Sequence, residues 1–485
     1  MQSNAITTIQ LFERMILRVF VGIVIFMAFF LLLGDKTFPK VTKVNINNET
    51  VLASQRQIVF TFNRNMNRKS VEENFSVIPA VEGTLSWSGK NFAFTPLASF
   101  PYGKRFQIKI NNEAKDEDGK TLDKNFVYNF QTDNLRFAYL ATDGDYAQDI
   151  VISNLKGEDL LVLPTRDYEM ESFEVAPDGK KIYFLGKHQN QDNAELFQIG
   201  LHDKKITQLT EEKGFLNKAF QLSPDGRYLT LSRVEMSLNG EIASSIQLWL
   251  ASTKDFQFKK FKSGRGAGLT PIFTFDGTSL LYQNTEGNYE LGIVDENVQD
   301  EPIFIGEYNE AYGFHPFKPL IAFTKYAEGD VFSLNNFLML FNGDGTKITL
   351  PFGEGIARDT VFTSNGKKVL SIFSGPQDEF NDVGSFFPLR IFHLYSYDLE
   401  SRELLQLTND IGYSEEMPVI SPDSRNLLFL RFDTADGNKM IDPAYRDMAA
   451  SLGSIENGGE IWLMDLVTGQ MDSLGVRASK IQFFQ

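Results

Sequence analysis

The chain has 485 residues, of which 47 are lysine or arginine and 63 are aspartate or glutamate, so its formal net charge is −16. This charge excludes the nucleic-acid-binding class of protein, because binding a polyanion requires a basic surface. The chain contains no cysteine, which excludes disulfides, thiolate metal sites and thiol catalysis. Its four histidines are well separated in sequence, so we expect no multi-histidine metal site and no cofactor.

The first predicted element is an apolar segment, MILRVFVGIVIFMAFFLLLG, at residues 15–34. Its 20 residues match the length of a helix that crosses a hydrocarbon core about 30 Å thick. A buried core helix would carry polar residues on one face, and a cleaved signal peptide would need a small residue where Leu32 stands. The sequence therefore predicts a single-pass transmembrane helix after a cytoplasmic tail at residues 1–14.

Residues 40–132 contain short runs of alternating apolar and polar side chains, such as IVFTF and FQIKI, separated by turn-forming clusters such as WSGKN and FPYGK. This pattern predicts a β-sandwich. The succession FTFNRNMN, SVEENFSV, GTLSW, FAFTPLASFPYGKRFQIKI and AKDEDGKTL resembles the bacterial Ig-like domain of surface-layer and other cell-surface proteins. The resemblance implies a spacer or adhesive module outside the cytoplasm. It therefore predicts a cell-membrane protein whose bulk is extracytoplasmic, either periplasmic or at the cell surface.

From residue 134 to residue 485 the sequence repeats itself. VAPDGKKIYFLG, LSPDGRYLTLSR and ISPDSRNLLFLR are clear copies of one hairpin, and FTFDGTSLLYQN, FHPFKPLIAFTK and FTSNGKKVLSIF are degraded copies. Each copy precedes a second hairpin such as EIWLMDLVTGQMDSL, so one repeat supplies the four strands of a propeller blade. The pattern resembles the TolB-like propeller repeat of cell-envelope proteins. The turn histidine in FHPFK, His315, is interpreted as a structural residue and not as a ligand.

The two ends of the repeat array set the predicted number of blades. The array opens with three strands that lack a leading fourth, and it ends with a single strand, ASKIQFF, at residues 478–484. Because closing a ring removes exposed strand edges, we expect the last strand to complete the first blade. The predicted fold is therefore all-β after the transmembrane helix: an Ig-like β-sandwich and then a seven-bladed β-propeller, with six or eight blades as alternatives.

Extra length in the repeats falls mainly between the second and third strands of a blade, and such loops all emerge on one face of a ring. Insertions confined to one face often mark a binding face, and aromatic residues and arginine are common contact residues. The alternative is that these aromatic side chains only pack the loops onto the ring. The candidate partner-binding residues are Phe380, Phe386, Phe387, Tyr445 and Arg446.

The charge is unevenly distributed along the chain. Residues 1–133 contain 16 basic and 12 acidic residues, so the array carries a net charge of −20. This charge favours basic partners or cations.

No nucleophile elbow and no phosphate-binding loop occurs in the sequence, so we expect no enzymatic activity. The sequence predicts a membrane-anchored, extracytoplasmic binding or scaffold protein of the cell envelope, whose propeller face binds a protein or an envelope polymer. Two alternatives stay open: a glycan-acting propeller enzyme, either a lyase or a hydrolase, and a purely structural surface-layer component. Acid, histidine and arginine converging in one funnel would favour the enzyme, whereas an aromatic-rich loop face would favour the binding protein.

Overall fold

The structure is a computed structural model. It describes the chain except residues 1–14, 16, 26–36, 47–49, 52–56, 98–99, 190, 192, 212–213, 238, 240, 262–265, 296–300, 328–334, 376–378, 381–388, 435–457 and 485.

The transmembrane helix predicted at residues 15–34 is wrong. In the part of the chain that the structure describes, no helix is long and apolar enough to cross a membrane. Residues 17–25 of this region are helical. Apart from residue 15, the rest of the predicted span lies outside the described residues. The predicted membrane localisation and membrane partner, which depended on this helix, are corrected with it.

The chain divides into two compact units, and each of them is built mainly from β-strands. Unit 1 consists of Met1–Glu49, Gln57–Thr95 and Arg105–Phe130, and unit 2 consists of Thr50–Arg56, Pro96–Lys104 and Gln131–Gln485. The domain boundaries drawn from the sequence stay predictions.

The strands of the first 132 residues form two four-stranded sheets with the orders β1-β3-β6-β5 and β2-β8-β7-β4. The alternating pattern of β3 buries every second side chain, Ile58, Phe60 and Phe62, as expected for a strand with one face in a core. The short helix α1 (Arg68–Glu73) begins after Asn67, whose Oδ1 accepts a hydrogen bond from Ser70 N at 3.0 Å. The eight strands are β1 (Val41–Val44), β2 (Thr50–Val51), β3 (Ile58–Phe62), β4 (Phe75–Ile78), β5 (Gly83–Ser88), β6 (Asn91–Pro96), β7 (Arg105–Ile110) and β8 (Phe126–Thr132).

The strands after residue 133, together with a 3-10 helix at Gly144–Tyr146, follow the sequence repeat. They are β9 (Arg136–Ala141), β10 (Ile150–Asn154), β11 (Asp159–Leu163), β12 (Tyr168–Val175), β13 (Lys181–His188), β14 (Glu195–Gly200), β15 (Ile206–Gln208), β16 (Phe215–Leu222), β17 (Tyr228–Glu235), β18 (Gln247–Ser252), β19 (Lys259–Lys260), β20 (Gly266–Phe273), β21 (Ser279–Asn284), β22 (Tyr289–Ile293), β23 (Ile303–Gly306), β24 (Glu310–Phe314), β25 (Leu320–Tyr326), β26 (Asn336–Asn342), β27 (Lys347–Thr349), β28 (Ile356–Phe362), β29 (Lys368–Ser374), β30 (Glu379–Phe380), β31 (Leu389–Arg390), β32 (His393–Asp398), β33 (Leu404–Gln406), β34 (Tyr413–Ile420), β35 (Asn426–Asp433), β36 (Gly459–Asp465) and β37 (Met471–Phe483).

Strand pairing arranges these strands into blades. Blades 2 to 5 are β12–β15, β16–β19, β20–β23 and β24–β27, and blade 6 is β28-β29-β32-β33. Blades 1 and 7 share one sheet of order β11-β10-β9-β37-β36-β35-β34. The long strand β37 joins them, because it pairs first with β36 and then, from Ala478 to Phe483, with β9. The end of the described chain is thus the innermost strand of blade 1.

Contacts between the inner strands close these blades into a ring of seven. Each inner strand contacts the next, from β12 through β16, β20, β24, β28 and β34 to β37, and β37 contacts β12. Seven apolar clusters of buried residues match this arrangement, since each joins two consecutive blades. In the seam of blades 6 and 7, for example, Leu370 and Ile372 pack with Leu427 and Phe429. The hydrophobic core of unit 2 therefore lies in its seams.

The two faces of the ring carry different connections. From blade 2 to blade 7 the first and second strands are joined by five residues each, as in 176–180 and 223–227. Gly179 and Gly226 have positive φ angles, which the predicted Pro-Asp-Gly turns require. We call this side the turn face. The loops between second and third strands, and the connections between consecutive blades, emerge on the opposite side, which we call the insertion face.

Candidate partner-binding site

The longest insertions come from two neighbouring blades. Residues 375–392 connect β29 to β32 in blade 6, and residues 434–458 connect β35 to β36 in blade 7. Of the candidate residues on these insertions, Phe380 lies in β30, whose backbone pairs with β31 so that Phe380 is opposite Leu389.

The other four candidate residues lie outside the described residues: Phe386, Phe387, Tyr445 and Arg446. Their role in binding therefore stays a prediction.

A buried polar cluster lies at the base of both insertions. We call it the seam 6–7 cluster, and it consists of His393, Thr408, Glu415 and Arg431. The Glu415 carboxylate accepts hydrogen bonds from Arg431 Nε at 3.0 Å, Thr408 Oγ1 at 2.9 Å and His393 Nδ1 at 3.2 Å. The blade 6 insertion ends immediately before His393, and the blade 7 insertion begins shortly after Arg431. The cluster therefore fixes one end of each long loop.

Two aromatic rings enclose the guanidinium group of this cluster. The Arg431 Cζ atom lies 4.2 Å from the centroid of the Tyr413 ring and 4.6 Å from that of the Trp462 ring. Such cation–π contacts are strongest when water is excluded, and Arg431 is buried. A buried ion pair adds little net stability, but removing one partner is costly. We interpret the cluster as a structural anchor that fixes the positions of the two long insertions.

Further hydrogen bonds to backbone atoms continue this attachment. Phe392 N donates to Ser414 Oγ at 3.0 Å, and Glu415 N donates to Phe392 O at 2.8 Å, which ties the end of the blade 6 insertion to β34. Thr434 Oγ1 donates to Ile411 O at 2.7 Å, which ties the start of the blade 7 insertion to the connection between the blades. The Ile411 side chain is 72% exposed beside this point. Hydrogen bonds therefore hold one end of each long insertion in place, and an exposed apolar side chain, Ile411, lies beside them.

The seam between blades 2 and 3 holds a related cluster, the seam 2–3 cluster, formed by Glu195, Thr210, Asn217 and Arg233. Arg233 Nε donates to Asn217 Oδ1 at 3.0 Å, while Asn217 Nδ2 donates to Glu195 Oε2 at 3.0 Å. Thr210 Oγ1 also donates to the Glu195 carboxylate. The repeat therefore places an arginine in the same position of two seams.

Sequence reasoning missed both arginines, although a signal was present. Two of the three clear hairpin copies, LSPDGRYLTLSR and ISPDSRNLLFLR, end in arginine directly after a run of buried strand residues. A charged residue in that position requires a buried partner.

The inner strands carry further polar contacts between blades. Gln482 Oε1 accepts from Val175 N at 2.9 Å, and Glu174 Oε2 accepts from Leu222 N at 2.9 Å. Burial raises the pKa of Glu174 to about 7, against the opposing effects of Lys480 and of the Leu222 hydrogen bond. Burial also lowers the pKa of Lys480, while Glu174 acts in the opposite direction. These groups hold adjacent blades together around the axis of the ring.

The turn histidine His315 is a structural residue, as predicted. Its Nδ1 accepts hydrogen bonds from Phe317 N and Lys318 N, both at 3.0 Å, and its Nε2 donates to Gly366 O at 2.8 Å. It therefore joins the turns of blades 5 and 6. In the described part of the chain, no group of three or more histidine, aspartate and glutamate side chains is arranged to hold a metal ion.

Comparison with known proteins agrees with the two predicted resemblances. The family model described as "Bacterial Ig-like domain" matches residues 35–132, which confirms the predicted Ig-like domain. A search of curated proteins finds no match.

Among solved structures, the chain has propeller neighbours. TolB from Acinetobacter baumannii is 12% identical, with 85% of this chain and 83% of that chain covered and a TM-score of 0.40. The β-propeller domain of the Trilobed protease from Pyrococcus furiosus is 12% identical, with 78% and 94% covered and a TM-score of 0.46. Oligogalacturonate lyase from Vibrio parahaemolyticus is 13% identical, with 70% and 84% covered and a TM-score of 0.45. The neighbours thus include TolB-like propellers, as predicted, and also enzymes, and they carry no argument about function.

Proposed function

We propose that this protein is a non-catalytic binding or scaffold protein that holds a protein or polymer partner on the insertion face of its ring, above blades 6 and 7. The observation that carries the proposal is that the two longest insertions leave adjacent blades and share one buried anchor, the seam 6–7 cluster. A repeat protein that varies its loops on one face and keeps its turns short on the other has the form expected of a binding scaffold.

The chemistry of the cluster supports binding over catalysis. The Glu415 carboxylate is fully buried and accepts hydrogen bonds from three side chains. A carboxylate engaged in this way positions its neighbours, whereas a general base must reach a substrate proton. The exposed Ile411 side chain and the aromatic residues predicted on the insertions supply the kind of contact that dominates protein interfaces.

Site-specific photocrosslinking tests the proposal with a matched control on the opposite face of the ring. A benzophenone amino acid replaces Ile411 on the insertion face or Val467 on the turn face, which are 72% and 77% exposed. We expect a discrete crosslinked product from position 411 in cells of the source organism and none from position 467. The same product from both positions, or from position 467 alone, would contradict the proposed face.

A further inference from the structure

A second feature of the insertion face is a cavity of about 690 Å³ between blades 1 and 2. One wall is the start of the closing segment of β37, including Arg477. The second is the connection between β9 and β10, including Asp143 and Gln148, and the third is the start of β12, including Tyr168 and Glu169. The cavity therefore lies where the end of the chain completes the ring.

The charged groups that line the cavity are two carboxylates and one guanidinium. Asp143 and Glu169 are exposed, and within the described part of the chain neither carboxylate has an ion pair or a hydrogen bond. The Arg477 guanidinium keeps its positive charge while its Nη2 donates to Gly458 O at 2.9 Å, so the three charged groups of the lining sum to −1. Nearby, the pKa of Glu171 is raised by burial, and the Glu169 charge adds to this shift while Lys218 opposes it. The local field thus favours a cation.

The other lining groups suit a long side chain with a charged end. Leu140 and Met170 give the cavity an apolar wall, and the Tyr168 ring is part of the same surface. Arginine has an apolar stem, and its planar guanidinium stacks on aromatic rings and forms paired hydrogen bonds with carboxylates.

We propose that this cavity binds an arginine side chain of a basic peptide segment, with Asp143 and Glu169 contacting the guanidinium and Tyr168 supporting its plane. The net charge of −20 on the residues after 133 favours the approach of such a segment. The inference extends the proposed function by giving the chemistry of one partner contact. It concerns a cavity in blades 1 and 2, so its test does not depend on the site above blades 6 and 7.

The test is a calorimetric titration of the full chain with hexa-arginine, with spermidine as a second cation. The cavity variant is D143N/E169Q. The matched control is E400Q/E403Q, which removes two exposed carboxylates from the turn between β32 and β33 on the opposite face. Both variants change the net charge equally, so a general electrostatic effect weakens both to the same extent.

We expect hexa-arginine to bind the parent chain, and the cavity variant to bind it about tenfold more weakly, because charge-assisted hydrogen bonds are lost. The control variant should change less than about twofold, because exposed charges far from a site are screened. Equal weakening of the two variants, no binding of hexa-arginine, or tighter binding of spermidine than of hexa-arginine would each overturn the proposal. The crosslinking result at Ile411 is independent of all these outcomes, so the proposed function and the cavity can fail separately.

Discussion

The seam 2–3 cluster and the seam 6–7 cluster occupy equivalent positions in the ring but distribute their charges differently. In seam 2–3 the carboxylate, Glu195, is on the third strand of the preceding blade, and the inner strand supplies Asn217. In seam 6–7 the third strand supplies His393, and the inner strand supplies the carboxylate, Glu415. In both clusters the arginine Nε donates at 3.0 Å to the inner-strand residue.

The difference accompanies a difference in loops. The second-to-third strand loops of blades 2 and 3 are residues 189–194 and 236–246, whereas those of blades 6 and 7 are residues 375–392 and 434–458. The carboxylate that accepts from three side chains lies beneath the longer pair. The comparison indicates that the repeat fixes the position of the arginine, and that the residues around it are adjusted to the loops they support.

The largest expected effect is a difference in the free energy of unfolding between variants of the two arginines. Arg431→Met leaves Glu415 buried without its cation, which typically costs about 3–5 kcal/mol of the free energy of unfolding. Arg233→Met removes the hydrogen bond that Arg233 Nε donates to the neutral amide of Asn217, and the loss of that bond costs about 1–3 kcal/mol. Urea unfolding of the two variants measures both losses, and equal losses would remove the distinction between the clusters.

A buried carboxylate on the inner strand of blade 2, with no arginine among the contacts described for it, extends the comparison. Glu174 on β12 contacts blade 3 through Leu222 N, and its cationic neighbour is Lys480 of β37. Its pKa is raised to about 7 in the folded state. Between the ordinary glutamate pKa and about pH 7, the folded protein therefore keeps a proton on Glu174 that the unfolded chain has already released. The contribution of Glu174 to stability therefore falls as pH rises toward and through about 7.

Glu174→Gln is the control for this prediction, because the amide oxygen still accepts the Leu222 hydrogen bond and does not titrate. At about pH 5 the parent and the variant should have similar free energies of unfolding, and at about pH 8 the parent should be less stable by up to about 3 kcal/mol. Urea midpoints at the two pH values measure the difference. A difference that stays constant with pH would contradict the assignment of a raised pKa to this seam.

A charge exchange sharpens the comparison further. His393→Glu alone places a second carboxylate beside Glu415, and Glu415→Asn alone removes the buried anion to which Arg431 Nε donates. The double variant reproduces the pattern of seam 2–3, so the two changes should compensate each other by about 1–3 kcal/mol in a double-mutant cycle. Additive losses would show that the two seams are not equivalent.

The sequence predicted the parts of the fold that depend on local patterns. Pro-Asp-Gly turns specify the short connections of the turn face, and where a serine replaces the glycine, Ser424 adopts the same kind of backbone with φ +60°. The closing role of β37 followed from counting strands, because the three strands at the start of the array lack the fourth that the single strand at its end can supply.

The features that the sequence predicted wrongly, or did not predict, depend on contacts between residues that are distant in sequence or on apolar composition alone. Glu415 and His393 are on different blades, and no local pattern joins them. The span at residues 15–34 was predicted from its length and apolar composition, whereas the described part of the chain contains no helix long and apolar enough to cross a membrane. The candidate aromatic residues came from loop length, which predicts a face but fixes no side-chain position.

The most direct test of the central claim measures partner binding and thermal stability on one variant. Phe386, Phe387 and Tyr445 are replaced together by alanine, and the partner identified by crosslinking at position 411 is titrated against the parent and the variant. If these residues are contact anchors, affinity should fall at least about 30-fold, as for the loss of an interface hot spot, while the melting temperature stays within about 2 °C. Unchanged affinity with a lowered melting temperature would show that the aromatics only pack the loops, and would contradict the claim that this part of the insertion face binds the partner.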